Sequence, residues 1–279
     1  MNSTIVNEAA HYFASFPVSS HYAYFGNIRF DTRQDGDFEF YNNTQDVYNS
    51  VLSHQPDPTL GFPNNQTGSD VFQMINRYLQ VSQVPICGSK LFILVKRYPN
   101  TTDISNLVAK LRKYHITMTF MVSRTPSGGE SSEILYDFAT RTNGFCAFDD
   151  DDQIPVALQY VPACFNPYLL YAVNPEVSGK GSITLPMFNI SAQDAYWFTM
   201  TIQDNEPTDV VQVSLLKATD AFGSTSQLGV TNGSNSGTRY GNHVGGYLFL
   251  SSGVYNMRLT YNYTDSRTRR LQIRGYVKK

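Results

Sequence analysis

The chain has little charge and few of the residues that build metal sites or covalent frameworks. Of its 279 residues, 16% are charged, three are cysteine, five are histidine and one is tryptophan. Lys and Arg number 21 against 23 Asp and Glu, without a basic block, which argues against a nucleic-acid-binding protein because such binding needs clustered cations. No run of about 18 apolar residues occurs, so the sequence predicts no membrane span.

The three cysteines allow at most one bridge within the chain. They form no Cys-x-x-Cys motif and stand near no histidine at ligand spacing, so no zinc site is predicted. Three buried thiols and one disulfide remain as alternatives. For the second case we predict that Cys87 pairs with Cys164 and leaves Cys146 free, because the chain must cross back over the predicted sheet before Cys164.

Uncharged side chains supply most of the polarity, and the acceptor triplet for N-glycosylation, Asn-x-Ser/Thr, occurs seven times. One triplet begins at Asn2, and the others begin at the positions that we predict to be glycosylated, which are Asn42, Asn65, Asn100, Asn189, Asn232 and Asn262. This surface favours a secreted protein. The chain itself opens on a polar segment without a signal peptide, so we expect secretion of a longer form.

The first half of the sequence alternates helix and strand patterns. A continuous apolar run from Leu91 to Val95 is typical of a strand that is covered on both faces. The spacing predicts helices over 4–16, 44–52, 69–79, 102–114 and 131–142, and strands over 24–30, 38–40, 91–95, 116–122 and 144–148. Strands that alternate with helices over short loops predict an α/β domain over 1–152 with a parallel sheet.

After the four aspartates at 149–152 the pattern changes to short strands. The segment 153–179 contains four prolines and is predicted to be a linker. Alternating apolar and polar residues predict seven strands over 181–185, 196–203, 210–216, 227–230, 244–250, 254–263 and 269–277. Short strands between Gly-, Asn- and Ser-rich turns predict an antiparallel β-sandwich over 180–279.

No convergent set of catalytic or ligand residues emerges. The histidines form no i, i+4 pair, and Gly-x-Ser-x-Gly, the motif of a nucleophilic serine, is absent. We interpret the four aspartates at 149–152 as a solvated strand end, since adjacent carboxylates point in different directions. The sequence thus predicts no catalytic residue, no cofactor and no metal ligand.

The order of these elements resembles a von Willebrand factor A domain. The resemblance rests on YFGNIRFD at 24–31, TGSDV at 67–71 and KLFILV at 90–95, followed by the last helix and strand. More narrowly, it looks like nematode proteins that join such a domain to C-type lectin domains or to a C-terminal β-domain of unknown function. The resemblance implies that the first and central strand of the sheet is missing from this chain, which we therefore interpret as N-terminally truncated.

The resemblance also implies that the metal-dependent adhesion site of the family is lost. The family's first strand ends in Asp-x-Ser-x-Ser, which this chain lacks, and its fourth strand is followed by an acidic ligand. Here Lys96 and Arg97 follow Val95, and Asn65 stands at the position of a threonine ligand. A hard dication needs oxygen ligands, some of them anionic, so these positions do not suit Mg²⁺.

The sequence therefore favours a secreted, non-enzymatic interaction protein whose partner is an unknown extracellular protein or a glycan. The alternative is a carbohydrate-binding protein that acts in innate defence, an interpretation that rests on the family's lectin domains, the many tyrosines and the single Trp197.

Overall fold

The computed structural model of the chain describes residues 2–15, 21–34, 36–158, 166–202, 211–231 and 243–277. Its helices are α1 (Ser3–Ala14), α2 (Thr44–Ser53), α3 (Val71–Tyr78), α4 (Ser105–Lys113), α5 (Glu133–Arg141) and α6 (Ile154–Leu158). The strands of the first half are β1 (Phe25–Asn27), β2 (Glu39–Tyr41), β3 (Lys90–Val95), β4 (Thr117–Ser123) and β5 (Phe145–Asp149).

The strands of the second half are β6 (Tyr168–Val173), β7 (Glu176–Val177), β8 (Lys180–Ile190), β9 (Asp194–Ile202), β10 (Val211–Thr219), β11 (Thr225–Thr231), β12 (His243–Leu250), β13 (Gly253–Tyr263) and β14 (Arg269–Val277). The protein is thus a mixed α/β structure, rich in β-strands, as the alternating and short-strand patterns predict.

A three-stranded parallel sheet in the order β3-β4-β5 forms the centre of the first half, here called the parallel lobe. One face packs on α3, α4 and α5, and the other on α1 and α6. The continuous apolar character of β3 and β4 follows from this double cover. The hairpin β1–β2 forms a separate antiparallel sheet, and β3 has a strand partner on one side only among the described residues.

Two antiparallel sheets make up the second half, here called the sandwich. Their strand orders are β11-β10-β13-β8 and β12-β9-β14-β6, and β7 also pairs with β14. Alternate side chains of both sheets point inward and form one core, in which Phe198, Leu216, Met257, Leu259 and Leu271 are fully buried.

The segment 153–179 is more than the linker that its prolines suggest. It contains α6, β6 and β7, and β6 pairs with β14 at the edge of the five-stranded sheet. Pro167 directly precedes β6 and Pro175 lies between β6 and β7, so neither proline removes a ladder donor from within a strand. The sandwich therefore begins at Tyr168, inside the predicted linker.

Side chains of the sandwich close the outer edge of β5. The Gln272 side-chain oxygen accepts a hydrogen bond from the Cys146 N–H at 2.8 Å, and the Thr201 hydroxyl donates to the Cys146 carbonyl at 3.1 Å. Arg274 donates through Nε to the Gly144 carbonyl at 2.8 Å. An open strand edge exposes unpaired backbone groups. These three side chains pair with such groups in the way that the backbone of a fourth strand would.

The same contacts tie the sandwich to α5. The Gln272 amide nitrogen donates to the Tyr136 carbonyl at 3.2 Å and to the Thr140 hydroxyl at 2.9 Å. The Tyr136 hydroxyl lies 2.8 Å from the Arg270 carbonyl. Burial raises the pKa of Tyr136 well above its ordinary value, so this hydroxyl stays protonated and can donate. The two halves thus share a buried polar interface.

We predict that Gln272→Ala destabilises the protein by about 3 kcal/mol. The substitution leaves the Cys146 N–H buried without a partner, at a cost of about 1–3 kcal/mol, and it also removes the hydrogen bonds from the Gln272 amide to the Tyr136 carbonyl and the Thr140 hydroxyl. Chemical denaturation measures the loss. The matched control is Gln227→Ala on β11, where the side chain is exposed and the expected change is below about 0.5 kcal/mol. Equal losses in the two variants would contradict the prediction.

We also predict that acid weakens this interface through His243. The His243 ring lies 6.4 Å from the Phe145 ring, and burial lowers its pKa to about 4, against an opposing hydrogen bond with the Ala157 backbone. Because the unfolded chain takes up this proton near pH 6.5, the free energy of unfolding falls between pH 6.5 and about 4, by up to about 3 kcal/mol. Chemical denaturation across this pH range tests the prediction, since the free energy of unfolding of His243→Gln should change less with pH than that of the wild type. Identical slopes for variant and wild type would refute it.

Candidate functional site

The carboxyl ends of β3, β4 and β5 meet at one edge of the parallel sheet. Lys96 follows the end of β3, Ser123 ends β4, and Asp151 lies two residues beyond the end of β5. This edge is where open α/β sheets bind their ligands, because the loops that leave adjacent strands diverge there. It is therefore the first place to look for a functional site.

One ammonium group joins the three strand ends. Lys96 Nζ donates to the Ser123 hydroxyl at 2.9 Å, to the Thr125 hydroxyl at 2.9 Å and to Asp151 Oδ2 at 2.7 Å. The Ser123 hydroxyl in turn donates to Asp151 Oδ1 at 2.5 Å. We call these four residues the Lys96 cluster. It is a compact set of oxygen atoms around a single positive charge.

The electrostatics of the Lys96 cluster favour a fixed ion pair. Burial on its own would raise the pKa of Asp151, but the hydrogen bonds from Lys96 and Ser123 outweigh it and lower that pKa. Asp151 is then ionised at neutral pH, and its carboxylate lies 2.7 Å from the Lys96 ammonium. The Ser123 side chain is fully buried, and its hydroxyl is already engaged with Asp151.

The Lys96 cluster does not fit a divalent cation. Its oxygens already surround the Lys96 ammonium, and a dication beside that group would meet a like charge at short range. Within the described part of the chain, no group of three or more His, Cys, Asp or Glu residues is close enough to hold a metal ion.

The neighbouring residues follow the same pattern of internal pairing. Arg97 is buried and donates to the carbonyls of Asn64 at 2.9 Å and Thr67 at 2.6 Å, so it braces the loop that contains Asn65. The Asn65 carbonyl accepts from the Gly129 N–H, while its side chain is exposed. Lys96 and Arg97 both occupy this edge, but Asn65 contributes only its backbone.

The aspartates at 149–152 are less solvated than their sequence suggests, and the interpretation as a solvated strand end is wrong for the first three. Asp149 is fully buried, Asp150 pairs with Arg124 at 3.4 Å, and Asp151 belongs to the Lys96 cluster. The physical reason is that two cations from neighbouring strand ends face the acidic run. Ser123 and Thr125 were not predicted as site residues; their only sequence signal is their place at the end of a predicted strand.

A second polar contact joins the loop after β1 to the start of α3. The Asp31 N–H donates to Asp70 Oδ1 at 2.8 Å, and the Asp70 N–H donates to Asp31 Oδ1 at 3.0 Å. Burial raises the pKa of Asp31 to about 7, the nearby Asp70 charge adds to this, and a hydrogen bond with Ser69 opposes it. Asp31 also has a left-handed backbone, with φ of 59°. This pair orients a loop and does not join the Lys96 cluster.

The predicted modification sites are distributed over both halves. Asn42, Asn65, Asn100 and Asn189 are exposed, and Asn262 is half-buried. The Asn100 amide donates to the Gln66 carbonyl at 2.8 Å. Asn232 and Cys164 lie outside the described residues. Cys87 is exposed and Cys146 is buried, and the Cys87–Cys164 bridge stays a prediction, as does glycosylation.

The sandwich is similar to a known protein family. A family model described as a domain of unknown function (DUF7154) matches residues 173–278, which is most of the sandwich. No curated protein matches the sequence. Among the described residues, none of the helices combines the length and the apolar character that crossing a membrane requires.

Solved structures show only distant likeness. A carbohydrate-binding module from Cellvibrio mixtus lichenase 5A, in complex with cellotriose, has a TM-score of 0.26 at 10% identity and covers 42% of this chain and 95% of its own. The globular domain of zebrafish complement 1qA protein has a TM-score of 0.25 at 11% identity, and the match covers 39% of this chain and 95% of that domain. AlgX from Pseudomonas aeruginosa has a TM-score of 0.31 at 10% identity, and the match covers 98% of this chain and 65% of AlgX. These TM-scores are too low to carry an argument about function.

We predict that Lys96→Met destabilises the protein by about 1–3 kcal/mol. The side chains of Lys96 and Asp151 are 22% and 32% exposed, so their ion pair is partly buried. The loss of stability should therefore lie between the losses typical of surface pairs and of buried pairs. Because the hydrogen bonds lower the pKa of Asp151, the difference from wild type should shrink as the pH falls through the folded pKa of Asp151. Urea denaturation measures it. Lys180→Met, at an exposed position of β8, serves as control; a comparable loss there would contradict the prediction.

Proposed function

We propose that this protein is a non-enzymatic interaction protein of the extracellular space, built from a degenerate von Willebrand factor A-like domain and a β-sandwich. The observation that carries the proposal is the Lys96 cluster. At the sheet edge where proteins of this architecture bind ligands, the polar groups are saturated by one internal ion pair. The interaction surface is therefore metal-independent and lies elsewhere.

Two features of the parallel lobe support the likeness to the A-type fold. The strand order β3-β4-β5, with helices on both faces, matches the second half of such a sheet. Among the described residues, the hairpin β1–β2 is separate and β3 has a strand partner on one side only, an arrangement expected of an A-type sheet without its central strand. On this proposal the chain is related to nematode proteins that carry lectin domains. Exposed side chains at Asn42 and Asn189 support a glycosylated, secreted surface.

Thermal unfolding in the presence of cations tests the proposal. We expect the melting temperature to be the same in EDTA and in millimolar Mg²⁺ or Ca²⁺, because the Lys96 ammonium occupies the place of a cation. Specific binding at 100 times Kd would add about 2.7 kcal/mol of stability. A rise in melting temperature that EDTA abolishes, and that Asp151→Asn also removes, would overturn the proposal.

A carbohydrate-binding role is the second candidate. One observation favours it: aromatic side chains are exposed on the outer face of the five-stranded sheet of the sandwich, with Tyr247 46% and Phe249 76% exposed beside Trp197. Exposed aromatic rings that are grouped on one surface are typical of binding sites.

A further inference from the structure

Three aromatic side chains form a continuous group on the outer face of β9 and β12. In β9, Tyr196 and Phe198 point into the core, so Trp197 between them points outward. Trp197 stands directly opposite Tyr247 on β12, and their ring centroids are 4.7 Å apart at 89°. Phe249 follows two residues later on the same face. We call Trp197, Tyr247 and Phe249 the aromatic face.

The aromatic face is built so that two rings remain open. Tyr247 and Phe249 have ring centroids 6.3 Å apart and ring planes inclined to each other by 35°, so they present two adjacent exposed rings. Ala195 stands opposite Phe249 in the ladder, and its small side chain leaves the phenyl ring uncovered. Trp197 meets Tyr247 edge-on and fixes the orientation of the phenol ring. Trp197 is in this sense a positioning residue.

The size of the aromatic face sets the size of its ligand. With exposures of 46% and 76%, Tyr247 and Phe249 together offer roughly 250 Å² of surface, given that an aromatic side chain has about 150–250 Å². A stable protein interface buries about 800 Å² on each partner. The aromatic face alone is too small for such an interface, and it matches one or two rings of a small ligand.

The charge and shape of the aromatic face set the chemistry. Among the described outward-facing side chains of β9 and β12, none has a charge at neutral pH, so an ionic ligand finds no counter-charge there. The aromatic face is also open to solvent, and the cavities lined by Arg33 and by Asn76 both lie in the parallel lobe. A wholly apolar molecule needs enclosure, whereas a ligand with one apolar face and a hydroxylated rim keeps its polar side in water.

We propose that the aromatic face binds a neutral sugar residue of a glycan, an inference that rests on the carbohydrate-binding candidate above. The axial C–H groups of a pyranose ring form an apolar face that stacks on the rings of Tyr247 and Phe249. The hydroxyls at the rim remain hydrated or bond to the Tyr247 hydroxyl. Affinity then comes from stacking and apolar burial, and it is independent of ionic strength.

Fluorescence of the single tryptophan tests the proposal, because Trp197 is a member of the aromatic face. The full chain is titrated separately with short neutral oligosaccharides of glucose, N-acetylglucosamine, mannose and galactose. We expect at least one of them to change the emission in a saturable manner, with a Kd that added NaCl leaves unchanged. Phe249→Ala and Tyr247→Ala should each weaken that Kd by about tenfold, without lowering the melting temperature appreciably.

The matched control is Phe222→Ala. Phe222 is 95% exposed in the turn between β10 and β11, where Asp220 Oδ1 accepts from its N–H at 2.9 Å, so the control removes an even more exposed ring from a different place. We expect Phe222→Ala to bind like the wild type.

Three results would overturn the proposal: no response to any of the four sugars, equal weakening in Phe222→Ala, or a Kd that rises steeply with salt. Each would leave the expected indifference to Mg²⁺ intact, so failure of this site is distinguishable from failure of the proposed metal-independent function.

Discussion

The open edge of β5 is the constraint on which the architecture depends. A parallel sheet of three strands cannot end in water without leaving backbone groups of an apolar strand unpaired. Here Gln272, Thr201 and Arg274 supply the missing donors and acceptors from the sandwich. All three side chains are buried, so the interface between the halves is a permanent part of the fold.

At the carboxyl ends of β3, β4 and β5, the polar groups are paired with one another in the Lys96 cluster. The Lys96 ammonium satisfies oxygens from two neighbouring strand ends, and Asp151 balances its charge. An edge that is saturated from within is stable but has no free group to offer a ligand. The five-stranded sheet of the sandwich packs one part of its outer face on β5 and leaves another part exposed as the aromatic face, which is the surface that we propose for recognition.

Local sequence patterns predicted the positions of the strands better than the pairing between strands. Alternation in β13 and β14 and the apolar run of β3 locate these strands within a few residues, because burial of one or both faces leaves a direct trace in sequence. The strand β6 was hidden in a proline-containing segment, since its identity depends on pairing with β14 about 100 residues later. Long-range pairing of this kind has no local signature.

The residues of the Lys96 cluster were also only partly predictable from the sequence. Lys96 and Arg97 could be singled out from the sequence because they replace an expected anion. Their partners could not, since Ser123 and Asp151 are 27 and 55 residues away from Lys96 and look like ordinary polar residues of strand ends. The aromatic face was equally hidden, because only the register of β9 against β12 brings Trp197 beside Tyr247.

The distance in sequence between Cys146 and Gln272 has a consequence for biosynthesis. The 126 residues that separate them must be translated before the β5 edge can be closed, because β14 follows all the other strands that the structure describes. A nascent chain that emerges from the ribosome thus carries a parallel sheet with an uncovered apolar edge throughout the synthesis of the sandwich. An unpaired strand edge of this kind favours intermolecular strand pairing until the final strand has been made.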